Sequence, residues 1–155
     1  MNKTLSLAVA AVMGCSGANA QTMIDKTTDI SSLTTDRLMN AETLWAMGRI
    51  GGAQASPDGK SVVYQVGYYS VKQNKGHQIL YVLSMDGKKQ TKLTTTTASE
   101  TDASWIDGGR RIAYLSGGQL WSMAADGTDR KQLTHSQTDI EGYKFSPDGK
   151  HVILI

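Results

Sequence analysis

The apolar residues of this chain fall in short runs: Val62-Val63-Tyr64, Ile79-Leu80-Tyr81-Val82-Leu83, Ile112-Ala113-Tyr114 and Val152-Ile153-Leu154. The runs are rich in β-branched and aromatic residues, and turn residues break them roughly every 8–12 positions. That pattern predicts short antiparallel strands. The exception lies upstream, where Leu38, Ala41, Leu44 and Trp45 are spaced for one face of a short helix over 36–47, capped by Thr35-Asp36 and stopped by Gly51-Gly52.

The turns between the runs repeat. Ser56-Pro57-Asp58-Gly59-Lys60 returns as Ser146-Pro147-Asp148-Gly149-Lys150, with a degenerate copy at Ile106-Asp107-Gly108-Gly109-Arg110. Asp58 and Asp107 are 49 residues apart, Asp107 and Asp148 41. Proline presets φ at the second turn position, aspartate bonds nearby backbone, and glycine accepts positive φ. A second marker keeps the beat: Asp86-Gly87-Lys88 precedes Leu93-Thr94, and Asp126-Gly127-Thr128 precedes Leu133-Thr134, each 40 residues on.

Self-similarity at about 40–50 residues is the sign of β-propeller blades. Each unit reads as four strands. The first ends near Ala55, Trp105 or Phe145. The second is one of the runs 62–64, 112–114 and 152–154. The third is Gln78–Leu83 or Gln119–Met123, and a short fourth ends at Leu93 or Leu133. The expected fold class is all-β, with about two and a half four-stranded antiparallel propeller blades over 48–155 and a short N-terminal helix. A generic antiparallel sandwich would not require the repeat. Propellers close with roughly 4–8 blades, so the propeller is expected to be partial and the chain a fragment. The open apolar edge at Val152–Ile155 is expected to favour association.

The N-terminus has a separate pattern. Lys3, the apolar run Leu5–Met13 and Ala18-Asn19-Ala20 predict a signal peptide over 1–20, cut after Ala20. Residues 21–35, polar and rich in Thr, Ser and Asp, read as a flexible leader. Val12-Met13-Gly14-Cys15 offers an alternative, a lipoprotein cleavage box with a lipid anchor at Cys15. A single thiol forms no internal disulfide, which suits a bacterial periplasmic or secreted protein. The apolar run is too short to span a bilayer.

Hydrophobic content of 39% and charged content of 19% fit a folded domain, and a net charge of +2 without a basic stripe argues against nucleic acid. Leu115-Ser116-Gly117-Gly118-Gln119 spells the signature of ABC-type ATPases, but it lies between two strand patterns and reads as a hairpin turn. His77, His135 and His151 lack metal-ligand spacing and are expected at the surface. Asp126-Gly127-Thr128-Asp129 lacks the rest of a calcium loop, and no Gly-x-Ser-x-Gly elbow occurs. No catalytic, cofactor or metal residue is assigned within 1–155.

The blades resemble those of TolB-type propellers over about Ile50 to Ile155. A longer resemblance runs from about Leu33. Leu33-Thr34-Thr35-Asp36-Arg37-Leu38-Met39, the first Ser-Pro-Asp-Gly turn with Val62-Val63-Tyr64, Gln119–Thr128 and Gly142–Lys150 are similar to the prolyl oligopeptidase family, nearest the bacterial dipeptidyl-peptidase 5 type. The resemblance implies an exported serine peptidase acting on peptide substrates, with a propeller that screens access. Its Ser-Asp-His triad would lie in a downstream hydrolase domain, so no catalytic residue carries over. Acylaminoacyl-peptidase specificity is a variant of that reading. The alternative is a non-enzymatic periplasmic propeller that binds protein partners.

Overall fold

The computed structural model describes residues 39–71 and 73–155. The expected signal peptide, the cleavage point at Ala20, Cys15, the 21–35 leader and the Thr35-Asp36 cap lie outside the described residues.

Helix α1 spans Ala41–Ala46, within the expected 36–47. Its cap is Asn40, whose Oδ1 accepts from the Thr43 amide and the Thr43 hydroxyl, each at 2.8 Å. The expected apolar face is corrected: Leu44 and Trp45 are largely exposed and Thr43 is buried. Trp45 packs against Tyr69 with ring centroids 5.0 Å apart, and the Arg49 guanidinium lies 4.7 Å over its ring. Gly51-Gly52 does not stop the helix. It lies inside the first strand.

Ten strands follow. The first sheet is a meander of β1 (Arg49–Ala55), β2 (Ser61–Ser70), β3 (Lys75–Ser84) and β4 (Gln90–Lys92). The second repeats it with β5 (Thr101–Ile106), β6 (Arg111–Ser116), β7 (Gln119–Ala124) and β8 (Lys131–Gln132). A third pair, β9 (Tyr143–Phe145) with β10 (Val152–Leu154), begins the same order. All neighbours are antiparallel. These four-stranded meanders, expected from the repeat, have the form of propeller blades. The β2–β3 hairpin is longer than its apolar runs suggest, pairing as far as Ser70 with Lys75.

The turns explain why the sequence repeats. In Ser56–Lys60, the Ser56 hydroxyl donates to Asp58 Oδ1 at 2.6 Å, and the same oxygen accepts from the Lys60 amide at 3.1 Å. Ser56 Oγ also accepts from the Ser61 amide at 3.0 Å. The same bonds recur in Ser146–His151. They recur again in Ser84–Lys89, where Met85 replaces proline. The two sequence markers are therefore one device built on aspartate and glycine; in the copy at Asp126, Ala124 stands in the serine position and the Thr128 hydroxyl and amide donate to Asp126 Oδ1 instead. The copy after β5 differs. Asp107, Gly108 and Gly109 take φ of 52°, 65° and 89° in a 3-10 turn, and Arg110 binds Asp107.

The Leu-Thr marker also has a cause. Thr94 Oγ1 accepts from the Leu80 amide, and Thr134 Oγ1 from the Leu120 amide, both at 2.9 Å. Each threonine thus substitutes for a ladder carbonyl where the fourth strand leaves the sheet.

The core lies between the sheets. Strand β6 is buried on both faces, and its side chains alternate. Ile112 and Tyr114 pack on Val63, Leu80 and Leu93 of the first sheet. Ala113 and Leu115 join Leu120 and Ile140, with Tyr143 and Phe145 of the third pair against them. The second sheet is therefore the filling between its two neighbours.

Candidate functional site: the cleft between the first strands

The first strands of the three sheets come together. Gln54 on β1 binds Trp105 on β5 twice. Its Oε1 accepts from the Trp105 amide at 2.8 Å, and its carbonyl accepts from the indole Nε1 at 3.0 Å. Tyr143 on β9 closes the other junction. Its hydroxyl lies 2.8 Å from Ser104 Oγ and donates to the carbonyls of Asp102 and Ala113. Burial is the chief cause that pushes the Tyr143 phenol up to about 12, the Ser104 bond opposing it.

The first strands of the first two sheets, β1 and β5, are bulged at the same level. The register slips between Ile50 and Ala53 on β1, and between Thr101 and Ser104 on β5. Next to β9, the amides of Glu141 and Gly142 both donate to the Ile155 carbonyl, at 2.7 and 3.2 Å. A bulge inserts one residue and re-aims its neighbours. Asp102, the extra residue on β5, has φ of 52°, a left-handed value that few residues other than glycine, asparagine and aspartate adopt readily. The bulges border a cleft of about 540 Å³, in part walled by Gly52, Ala53, Ala103 and Gly142, with Asp102, Gln54, Gln65, Ser104 and Tyr143 as polar functions.

A second polar cluster lies between the first two sheets. Arg130 donates to Glu100 Oε1, to the Tyr114 oxygen at 3.0 Å and to the Leu93 carbonyl. The Thr94 hydroxyl donates to Glu100 Oε2 at 2.8 Å. Burial alone would lower the Arg130 pKa, but Glu100 outweighs it and raises it. Glu100 is 1% exposed. Each of its carboxylate oxygens has a bonding partner, so this cluster fixes how one sheet sits on the next.

The residues singled out by sequence fall elsewhere. Ser116-Gly117-Gly118-Gln119 is a two-residue hairpin between β6 and β7, with φ of 56° and 70° at its glycines, as expected of a turn. His135 and His151 are exposed outside the strands. His77 is corrected: it is 3% exposed within β3, its Nε2 3.1 Å from the Ala98 carbonyl. The loop at Ala98–Glu100, just before β5, lies against it, which no local pattern around His77 signals. Among the described residues, no group of three or more His, Cys, Asp or Glu is placed to hold a metal. No helix among them is long and apolar enough to cross a membrane. Asp102 and Tyr143 were not singled out by sequence. Gly51 and Gly52, unusual inside a strand, were the available signal of the β1 bulge.

Comparison with known proteins extends this picture. No family model matches the chain. It is 41% identical over 120 residues to the dipeptidyl-peptidase 5 of Porphyromonas endodontalis, covering 75% of this chain and 17% of that protein. It is 35% identical over 120 residues to the dipeptidyl-peptidase 5 of Porphyromonas gingivalis, covering 75% of this chain and 18% of that protein. The chain thus spans under a fifth of the length of these relatives. In fold it is similar to the acylaminoacyl peptidase of Pyrococcus horikoshii, with a TM-score of 0.61 at 13% identity over 72% of this chain and 18% of that one.

Proposed function

From the premise that this chain is kin to the dipeptidyl-peptidase 5 proteins of the prolyl oligopeptidase family, we propose that it forms propeller blades of an exported serine peptidase. The observation that carries the reading is the 41% identity over 120 residues to a dipeptidyl-peptidase 5. The four-stranded meanders and their bulged first strands supply what such a role needs, a wall around an access path. Peptide hydrolysis belongs to the hydrolase domain of the full-length protein, where a serine attacks the peptide carbonyl. The blades limit which peptides reach it. Dipeptides leave from the free N-terminus of the substrate.

Export is the second part of the reading. The pattern Lys3, Leu5–Met13 and Ala18-Asn19-Ala20 supports cleavage after Ala20 into the periplasm or the medium. Lipid attachment at Cys15 is the competing outcome. Fractionation of wild type and Cys15→Ser separates them: equal release of both into the soluble fraction supports cleavage after Ala20, and wild type confined to membranes contradicts it.

The enzymatic test uses the full-length protein and a panel of dipeptidyl chromogenic substrates. Turnover that a serine-directed inhibitor abolishes supports the reading. No turnover across the panel overturns it.

A further inference from the structure

The cleft between the first strands holds a charge that its architecture does not require. We propose that Asp102 selects, on the access path, for peptides bearing positive charge. The proposal rests on the peptidase reading above and deepens it by naming a substrate class.

The space is open. A Cβ added at Gly52 would meet nothing within 4 Å, and Ala53, Ala103 and Gly142 add little bulk around it. An extended peptide strand needs room of this kind. Within that wall Asp102 carries the one formal charge among the lining side chains. Tyr143 stays neutral beside it across the physiological range. The Asp102 carboxylate is exposed, and among the described residues it has neither a hydrogen-bond nor an ion-pair partner. The other polar side chains of the region are engaged: Gln54 with Trp105, Ser104 with Tyr143, and Gln65 with Gln78.

Position is fixed even though the carboxylate is free. The Asp102 carbonyl accepts from the Tyr143 hydroxyl, which packs in the core between the second and third sheets. The bulge therefore holds the residue at the cleft wall instead of leaving it on a mobile loop. The left-handed backbone at this point accommodates asparagine or glycine as readily as aspartate. Geometry alone thus gives no reason for a charge. A carboxylate on the wall of this cleft attracts a Lys or Arg side chain and repels acidic segments, and salt weakens the effect.

The test compares full-length wild type with Asp102→Asn. Asparagine keeps the left-handed backbone and nearly the same volume, so charge is the variable. Peptides of one length, identical in their first dipeptide and differing only in Lys or Glu further along, are assayed for kcat/KM. A dipeptidyl chromogenic substrate with uncharged side chains, bearing the same N-terminal ammonium as the peptides, serves as the reference. Wild type should favour the Lys peptides. Asp102→Asn should lower kcat/KM for them by about 3- to 10-fold, leave the reference unchanged, and lose the salt dependence of the preference. Asp102→Gly should behave as Asp102→Asn if the latter folds poorly. An active wild type whose Lys-to-Glu ratio matches that of both variants would overturn this proposal alone. An equal fall for every substrate, the reference included, would overturn it as well, since that marks a structural role. A wild type inactive on all substrates would sink the peptidase reading and this proposal with it.

Discussion

Gln54 and Trp105 are joined side chain to backbone in both directions, the amide oxygen of Gln54 on the Trp105 N–H and the Trp105 indole N–H on the Gln54 carbonyl. This exchange is the polar link between the first strands of two successive sheets. Gln54→Ala removes one bond and Trp105→Phe the other. Each should cost about 1 kcal/mol. Together they should cost less than the sum, because the first loss already loosens the geometry of the second. Chemical denaturation of the two single variants and the double variant measures this. Strict additivity would mean that the two bonds act independently.

Leu93 and Leu133 occupy the same place in the repeat, 40 residues apart, yet their surroundings differ. Leu93 is 1% exposed beneath the second sheet, while Leu133 is 45% exposed. Leu93→Ala should cost about 3 kcal/mol, the usual penalty for a buried leucine with its cavity. Leu133→Ala should cost under about 1 kcal/mol in the same chain. Thermal unfolding of the two variants reads the difference directly. Comparable losses at both positions would show that Leu133 is covered in solution.

The turn aspartates predict acid sensitivity. In Asp58, Asp86 and Asp148 the serine hydroxyl two residues back is the chief cause that holds the carboxyl below its ordinary 3.8, and in Asp126 the Thr128 hydroxyl does so. A folded-state value below the unfolded one means that the unfolded chain takes up protons first. The contribution is therefore present above about pH 4 and is lost as pH falls below it. Ser146→Ala removes the main cause at Asp148. The variant should be less stable than wild type at pH 7, and the gap should narrow toward pH 2, as followed by circular dichroism melts. A gap independent of pH would assign the loss to the Ser146 bonds to His151 instead.

Much of this fold was legible in the chain because its turns are chemically demanding. Ser-x-Asp-Gly needs a hydroxyl, a carboxylate and positive φ at fixed offsets, so its copies stand out. The Gly117-Gly118 hairpin was legible for the same reason. Three features were not. The Asp86-Gly87-Lys88 marker was read as separate from the Ser-Pro-Asp-Gly turn because Met85 stands where proline does elsewhere, although proline makes none of the bonds. His77 was expected at the surface because the outer part of the β2–β3 hairpin is polar. It is held by pairing across the hairpin, with Tyr68 opposite His77 and Tyr69 opposite Gly76. The cleft was hidden because its parts come from positions about 40–50 residues apart, and because bulges depend on register between strands, which no single segment encodes.

Tyr143 gives the site an alkaline signature. Its phenol ionises at about 12 in the folded chain against an ordinary 10.0. The folded state keeps the proton that the unfolded state loses, so this stabilisation is complete below pH 10 and disappears as pH rises from 10 to 12. Burial also raises Tyr114, so absorbance titration of the phenolates should show Tyr114 and Tyr143 ionising later than an ordinary tyrosine, and Tyr143→Phe should remove the step at about 12. A step at about 12 that survives in Tyr143→Phe would place it on another tyrosine.

The role proposed for these blades is in an enzyme that removes dipeptides from free N-termini. The most direct measurement incubates the full-length protein with a peptide of about ten residues, either with a free N-terminus or acetylated, and follows the products by mass spectrometry. Successive loss of dipeptides from the free peptide, with the acetylated one intact, is the predicted result. Release of a single acetylated residue, or no cleavage of either peptide, would contradict it.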